Sequence, residues 1–363
     1  MSPEVALIDL LIQICETPAP TFHEGARARL VASEFEALGL EVQTDAAGNV
    51  IAPLAFGEGP RILVAAHLDT VFGPETDVTV RREGERLLAP GIGDNSASLA
   101  VMLTFARWAR AQGCPGLPRI TLAATTGEEG LGDLCGARAL VATKADETDM
   151  FVALDGHLGT VVESAVGSKR YEVTFRAAGG HSWGDFPAPS AVHTLADAVH
   201  ALNRMRIPQQ PRSSYNVGQI CGGTSVNAIA QEASFNLDLR SLAGSVLEEL
   251  EREALGLIRK VSRHHGVECV LEKVGDRPAG SADNGVMIRA ARASLESLKI
   301  PVQTVASSTD ANAAMAAGLP AIGFGVYCGG DAHRLSEWLE PSSLRVGLEA
   351  FRQLLRNLGR WGI

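Results

Sequence analysis

The sequence predicts an α/β protein whose mostly parallel sheet carries helices on both faces and is interrupted by an inserted α+β domain. Three observations predict it. Short apolar runs that read as buried strands, RILVAAH and RITLAATT, alternate with helical patterns in the first part of the chain. Near Gly167 the texture changes to strict alternation, as in YEVTFRAA, and from Gly280 onward the first texture returns. A length of 363 residues is long for one core and suggests about two domains. The boundaries are placed at 1–167 and 277–363 for the two parts of the outer domain and at 168–276 for the insertion.

The apolar run ALIDLLIQIC, broken by Asp9, reads as a surface helix packing one face. After the loop PAPTFHEG, a helical pattern runs from Ala26 to Leu38 and stops at Gly39. EVQTD, NVIAPL and RILVAAH read as strands, separated by turns at Ala47-Gly48-Asn49 and from Gly57 to Pro60. Ala97 to Ala111 has the spacing of a helix packed on a sheet, and RITLAATT is the next strand. In the insertion, YEVTFRAA and ASFNLDLRSL alternate as half-buried strands. Ala191 to Met205 is an amphipathic helix with Val192, Leu195, Val199 and Leu202 on one stripe. Val246 to His264 reads as a second helix and VECVLEKV as a strand, so the insertion is built from strand-helix-strand units. VQTVASSTDANAAM, LPAIGFGV and a final helix near Ser343 to Leu358 complete the outer domain.

Composition is that of an ordinary soluble protein, 46% hydrophobic and 20% charged. A net charge of -10 and a pI near 5.4 provide no basic face, which argues against nucleic acid and anionic membrane as partners. The N-terminal apolar run is too short to span a bilayer and has no basic residues before it. Cys15, Cys114, Cys135, Cys221, Cys269 and Cys328 are scattered without CxxC spacing, so neither a zinc ribbon nor a disulfide framework is expected. A reduced, cytoplasmic setting follows.

Chemistry concentrates where strands end. RILVAAH runs into HLDTV, which puts His67 and Asp69 two residues apart on one side of an extended chain. A carboxylate beside an imidazole fixes the tautomer of a metal-ligating histidine, although a polar strand end facing solvent would look the same. PGIGDNSAS brings Asp94 to the start of a helix, as a ligand or as a plain N-cap. The turn nearly matches a dinucleotide fingerprint, but Ser96 stands where the third glycine belongs. TLAATTGEEGLGD sets Glu128 and Glu129 side by side at a strand end, where like charges need water or a cation. LDGHLG places Asp155 at another strand end, and GGDAHRLSE places His333 in a glycine-rich loop. His157 has no assigned role, and His23, His193, His200, His264 and His265 read as surface residues. His67, Asp94, Glu128, Glu129, Asp155 and His333 would therefore converge at one edge of a parallel sheet. Nitrogen and oxygen donors without thiolate suit zinc, or manganese and cobalt, in an open catalytic site.

With these motifs in hand, the chain resembles the zinc-dependent exopeptidases and amidohydrolases of the MH clan. That family includes peptidase T, succinyl-diaminopimelate desuccinylase and glutamate-releasing carboxypeptidases. The resemblance covers nearly the whole chain, through ETPAPTFHE, DAAGNVIA, HLDTV, GIGDNSA, GEEG, LDG, GGHS, GGTSVNAIA, LDLR, STDANAAMAAGLP and the late His333. It implies two divalent metal ions per chain, most naturally Zn2+, with Co2+ or Mn2+ as alternatives. Asp94 would bridge them, His67 and Asp155 would complete one site, and Glu129 and His333 the other. Asp69 would orient His67 and Glu128 would be the general base. The insertion would be a lid that also pairs two chains into a homodimer, with His181 of GGHS stabilising the oxyanion across the subunit boundary. Arg240 and Asn227 would meet the substrate's carboxylate and carbonyl region. Many members have Asp-x-Lys-x-Gly after the bridging aspartate, where this chain has Asn95, Ser96 and Ser98. Desuccinylases carry glutamate where Asp155 stands, so the chain leans to the peptidase T side.

The expected function is hydrolysis of short peptides with a free carboxylate. N-acyl amino acid deacylation is the alternative, since those substrates also present an amide and a carboxylate. A binding protein that kept the fold and lost catalysis is disfavoured, because every ligand position and the base are filled.

Overall fold

The computed structural model describes residues 3–54, 59–113 and 116–360; Gly57 and Glu58 of an expected turn, and Cys114, lie outside them. The chain divides into two compact units, Met1–Ala165 with Ser281–Ile363, and Val166–Gly280.

The first unit begins with helices α1 (Pro3–Cys15) and α2 (Gly25–Ala37) and strands β1 (Gln43–Thr44), β2 (Val50–Leu54) and β3 (Arg61–His67). A ribbon of β4 (Arg81–Glu83) and β5 (Arg86–Leu88) leads to helix α3 (Ser96–Gln112). Then come β6 (Arg119–Thr125), α4 (Cys135–Lys144), β7 (Met150–Leu154) and β8 (Thr160–Ala165). The second unit contains β9 (Gly167–Arg176), β10 (Gly180–His181), α5 (Ala191–Leu202) and β11 (Ser213–Gly222). It ends with β12 (Ala228–Ile229), β13 (Glu232–Ser241), α6 (Gly244–His265) and β14 (Glu268–Arg277). The chain returns to the first unit with α7 (Gly285–Ser297), β15 (Gln303–Ser307), α8 (Ala311–Ala316) and β16 (Ala321–Phe324). Two short strands, β17 (Gly329–Gly330) and β18 (Trp338–Leu339), precede the closing helix α9 (Pro341–Gly359).

The first unit is built on an eight-stranded sheet in the order β1-β2-β6-β3-β7-β16-β8-β15. Its central neighbours β6, β3, β7 and β16 run parallel, while β2 joins β6 and β16 meets β8 antiparallel. Alternation along β3 explains why helices cover both faces. Ile62, Val64 and Ala66 join Leu7, Leu11 and Ile14 of α1, Leu103 of α3 and Phe351 and Leu355 of α9 in one core. Leu63 and Ala65 turn the other way, into a core with Leu140 of α4 and Ala311 and Met315 of α8. Every one of these side chains is buried, and each fully buried aliphatic side chain contributes roughly 1.5–3 kcal/mol.

In the second unit a four-stranded antiparallel sheet, β11-β13-β9-β14, packs one face against α5 and α6. Tyr171, Val173 and Phe175 of β9 and Phe235, Leu237 and Leu239 of β13 supply the buried alternation. A separate ribbon pairs β10 with β12.

Three features differ from the sequence expectations. Helix α5 ends at Leu202 rather than Met205, because Pro208 lies just ahead and the chain turns at Asn203, although Met205 still reaches the core. Strand β11 was not anticipated, since it is an exposed edge whose side chains carry little apolar alternation. Helices α4 and α7 also lack a clear sequence signal, since α4 is short and α7 starts behind a polar loop without a side-chain cap. Among the described residues, no helix is long and apolar enough to cross a membrane.

Candidate metal centre

Parallel pairing brings three strand ends level. His67 pairs with Thr125 at the end of β6, and Ala65 pairs with Ala153, two residues before Asp155. The carboxyl ends of β3, β6 and β7 therefore deliver His67, the Glu128-Glu129 turn and Asp155 to one edge of the sheet, where an open α/β sheet builds its crevice. Asp94 arrives on the turn just before α3. His333 arrives on the loop between β17 and β18, half exposed and at a left-handed φ of 66°.

Asp94 stands between the two histidines. Its Oδ1 lies 3.0 Å from His67 Nε2 and its Oδ2 3.1 Å from His333 Nε2, which is also 3.0 Å from Glu129 Oε1. Three groups of side chains have donor atoms mutually within 4.8 Å: His67 with Asp94 and Asp155, Asp94 with Glu129 and His333, and His67 with Glu128 and Glu129. Asp94 is common to the first two. His67 Nε2 and Asp94 Oδ1 are both buried and 3.0 Å apart, close enough for an ion pair but without a hydrogen bond of good geometry to any group. Such orphaned atoms are costly in a protein interior unless a further group satisfies them. An imidazole nitrogen and carboxylate oxygens in this arrangement fit a pair of divalent cations.

The charge balance leads the same way. His333 is pushed up to about 11 by its contacts with Asp94 and Glu129. Burial works against the Asp94 carboxylate, but His333 and His67 hold it well below the usual range. Asp155 is pushed up to about 7, first by burial and then by the nearby Asp94 charge. The carboxylates outnumber their cationic partners, so the cluster attracts positive charge.

His67 is 1% exposed, and its other nitrogen, Nδ1, lies 3.0 Å from the main-chain oxygen of Asp69 and 3.6 Å from its carboxylate. A proton on Nδ1 shared with that carbonyl leaves Nε2 free for a cation. Asp69 thus meets His67 through its main-chain oxygen rather than, as expected, its carboxylate, which has a different task that the sequence did not reveal. Its Oδ1 accepts the Glu128 N–H and its Oδ2 the Glu129 N–H, each at 2.9 Å, while the Thr21 hydroxyl donates to Oδ2. Glu24, also buried, accepts the N–H groups of Phe22 and Gly127. Successive amides of the GEEG turn are thus held by two carboxylates. A third buried carboxylate, Glu337, was equally missed. Glu24 and Glu337 lie in the quoted stretches PAPTFHEG and GGDAHRLSE, but nothing in their spacing distinguishes them from surface acids.

His181, Asn227 and Arg240 belong to the second unit. The β10–β12 ribbon sets His181 beside Ala228, and the Ser182 N–H donates to the Asn227 carbonyl at 3.0 Å, so His181 and Asn227 are neighbours. Both are exposed. The amides of Trp183 and Gly184 donate to His181 Nδ1 at 3.2 and 3.3 Å. In the neutral ring the proton is therefore on Nε2. Arg240 on β13 is partly exposed, and its Nε donates to Asp238 at 2.7 Å. His157 is exposed and its ring rests 5.0 Å from that of Tyr327.

A family model described as Peptidase family M20/M25/M40 matches residues 63–357. A tripeptidase from Staphylococcus aureus has a similar structure, with a TM-score of 0.85 at 22% identity, covering 98% of this chain and 99% of that one. The Bacillus subtilis protein YxeP, described as a dinuclear metal binding peptidase from the M20 family, is similar with a TM-score of 0.72 at 16% identity over 99% of both chains. A Pyrococcus abyssi protein whose name is that of a LysW-lysine/LysW-ornithine hydrolase is 36% identical over 101 residues, 28% of this chain. That match spans 29% of the relative's length.

Proposed function

The chain belongs to peptidase family M20/M25/M40, and on that premise we propose that it is a dinuclear metal-dependent exopeptidase of short peptides that carry a free carboxylate. The observation that carries this reading is the position of Asp94, shared between a group with His67 and Asp155 and a group with Glu129 and His333. In this reading those five side chains hold the cations, Zn2+ by preference and Co2+ or Mn2+ as substitutes. The chemistry supplied on binding there would be polarisation of a scissile carbonyl and a water whose pKa is lowered to roughly 7. Glu128 takes the proton of the attacking water and returns it to the amine as the C–N bond breaks and a C–O bond forms. Asp69 and Glu24 keep Glu128 aimed by holding its turn through main-chain amides.

The second unit completes the reading as a substrate-binding lid. Arg240 would meet the free carboxylate and Asn227 the carbonyl region, while His181, with its proton on Nε2, would donate to the developing oxyanion. Pairing of two chains through this unit is part of the same proposal, and the exposed edge β11 supports it. Cys15, Cys135, Cys221, Cys269 and Cys328 are free, which suits a reducing, cytoplasmic setting.

Likeness to the P. abyssi protein, whose name is that of a hydrolase acting on LysW-lysine or LysW-ornithine, supports N-acyl amino acid deacylation as the second reading. One experiment covers both. Metal-stripped protein is reconstituted and assayed against a library of dipeptides, tripeptides and N-acyl amino acids. Two equivalents of metal, activity abolished by chelation and turnover of the peptides are expected. Preferential release of acyl groups would move the assignment to the deacylase, and chelator-insensitive activity without bound metal would overturn both.

A further inference from the structure

Glu337 follows the ligand His333 by four residues, and its side chain leaves the loop for the turn that carries Asp94. It is 1% exposed and accepts three main-chain N–H groups: Gly91 on Oε2 at 2.8 Å, and Gly93 and Asp94 on Oε1, both at 2.9 Å. Three main-chain N–H groups converge on this one buried side chain, each at hydrogen-bond distance. The main chain of Glu337 is fixed as well. Its carbonyl accepts the Ala89 N–H, its own N–H donates to Arg334, and the next residue, Trp338, pairs with Leu88 of β5. The turn has no slack on its far side, because a side chain at Gly93 would put Cβ 2.5 Å from the Tyr327 ring.

We propose that Glu337 is a positioning residue for the metal pair, locking the Asp94 turn to the His333 loop so that the two histidines meet opposite oxygens of one aspartate. The proposal rests on the dinuclear reading above. No cation or side-chain donor is needed to explain the three bonds, since each is made by an amide of the ligand-bearing turn itself. A carboxylate on a surface loop could not do this. A glutamine could not either, because its NH2 group would face at least one of the three N–H donors, whichever way the amide is turned.

The test is Glu337→Gln, followed by Co2+ titration of metal-stripped protein with the cobalt absorption bands, the affinity of each equivalent and the thermal unfolding of the metal-free form as readouts. Expected are a near-normal metal-free fold, altered cobalt bands, and loss of roughly 10- to 100-fold in affinity for at least one equivalent. Bands and affinities equal to those of the wild type, with a change only in unfolding temperature, would overturn the proposal and leave Glu337 a structural tie. Absence of cobalt uptake by the wild type would instead overturn the dinuclear reading, and this proposal with it. If the variant does not fold, hydrogen exchange of the wild type decides. Cobalt should slow exchange in residues 91–94 and 331–337 together, and protection of one segment without the other would overturn the proposal.

Discussion

Glu128 and Glu129 are chemically alike and adjacent, yet their surroundings give them different partners. Asp69 fixes the amides of both and both group with His67, but Glu129 also reaches His333 at 3.0 Å and joins the group of Asp94 and His333, to which Glu128 does not belong. Under the proposed mechanism, Glu128→Gln should retain both metal equivalents and lose roughly 100- to 10,000-fold in kcat, because an amide cannot accept the water's proton. Glu129→Gln should lower metal content first. Elemental analysis alongside kcat separates the two, and the reverse pattern would exchange their roles. Arg240→Ala should cost roughly 1.5–3 kcal/mol in kcat/KM on peptides with a free C-terminus, and less on the same peptides amidated. Equal losses would make the Asp238 contact the whole purpose of Arg240. His67, Asp94, Glu129, Asp155 and His333 could be read as neighbours because metal-ligating residue types at strand ends and glycine turns are rare enough to stand out. Glu24, Glu337 and the task of the Asp69 carboxylate could not, because a carboxylate that accepts main-chain amides needs no particular sequence partner.

At the scale of elements, strands that alternate or end in polar residues were readable, and the parallel core followed from them. β11 was not, because an edge strand owes its place to main-chain pairing with β13 rather than to its side chains. Helix α6 shows another connection invisible to periodicity. Its Glu251 contacts Lys169 and Tyr171 of β9 and Lys273 of β14, tying the helix to the sheet at its polar margin. Burial alone would raise the Glu251 pKa, but hydrogen bonds from Lys273, Tyr171 and Lys169 lower it to about 2, from 4.5. A folded-state pKa below the unfolded value means stability that is present above pH 4.5 and lost as pH falls towards 2. Glu251→Gln should therefore be less stable than the wild type at pH 6, by up to about 1 kcal/mol for a partly exposed network, and the gap should close by pH 2. Urea unfolding of the full chain across that range measures it. A gap independent of pH would assign the effect to packing instead of charge.

For the whole molecule, the central question is whether one chain suffices. The chain presents its candidate ligands and base in one unit and His181, Asn227 and Arg240 in the other. Strict alternation replaces buried runs near Gly167, which is why the sequence predicts a change of architecture there, but texture carries no information on whether a second chain contributes to the proposed site. The setting of His181 makes the question testable, since two amides occupy its Nδ1 and leave Nε2 as the atom through which the ring can act. His181→Ala and Glu128→Gln should each be inactive alone under the proposed mechanism. If two chains pair through the second unit and lend His181 to each other, mixing the variants under conditions of subunit exchange creates dimers with one site that has both groups intact. With random exchange half of the dimers are mixed, each with one repaired site, so activity should return to about a quarter of the wild-type value. Exchange is verified separately with differently tagged chains. Verified exchange without any recovery would confine His181 to its own chain's site, and recovery that scales with the mixed-dimer fraction would establish the shared one.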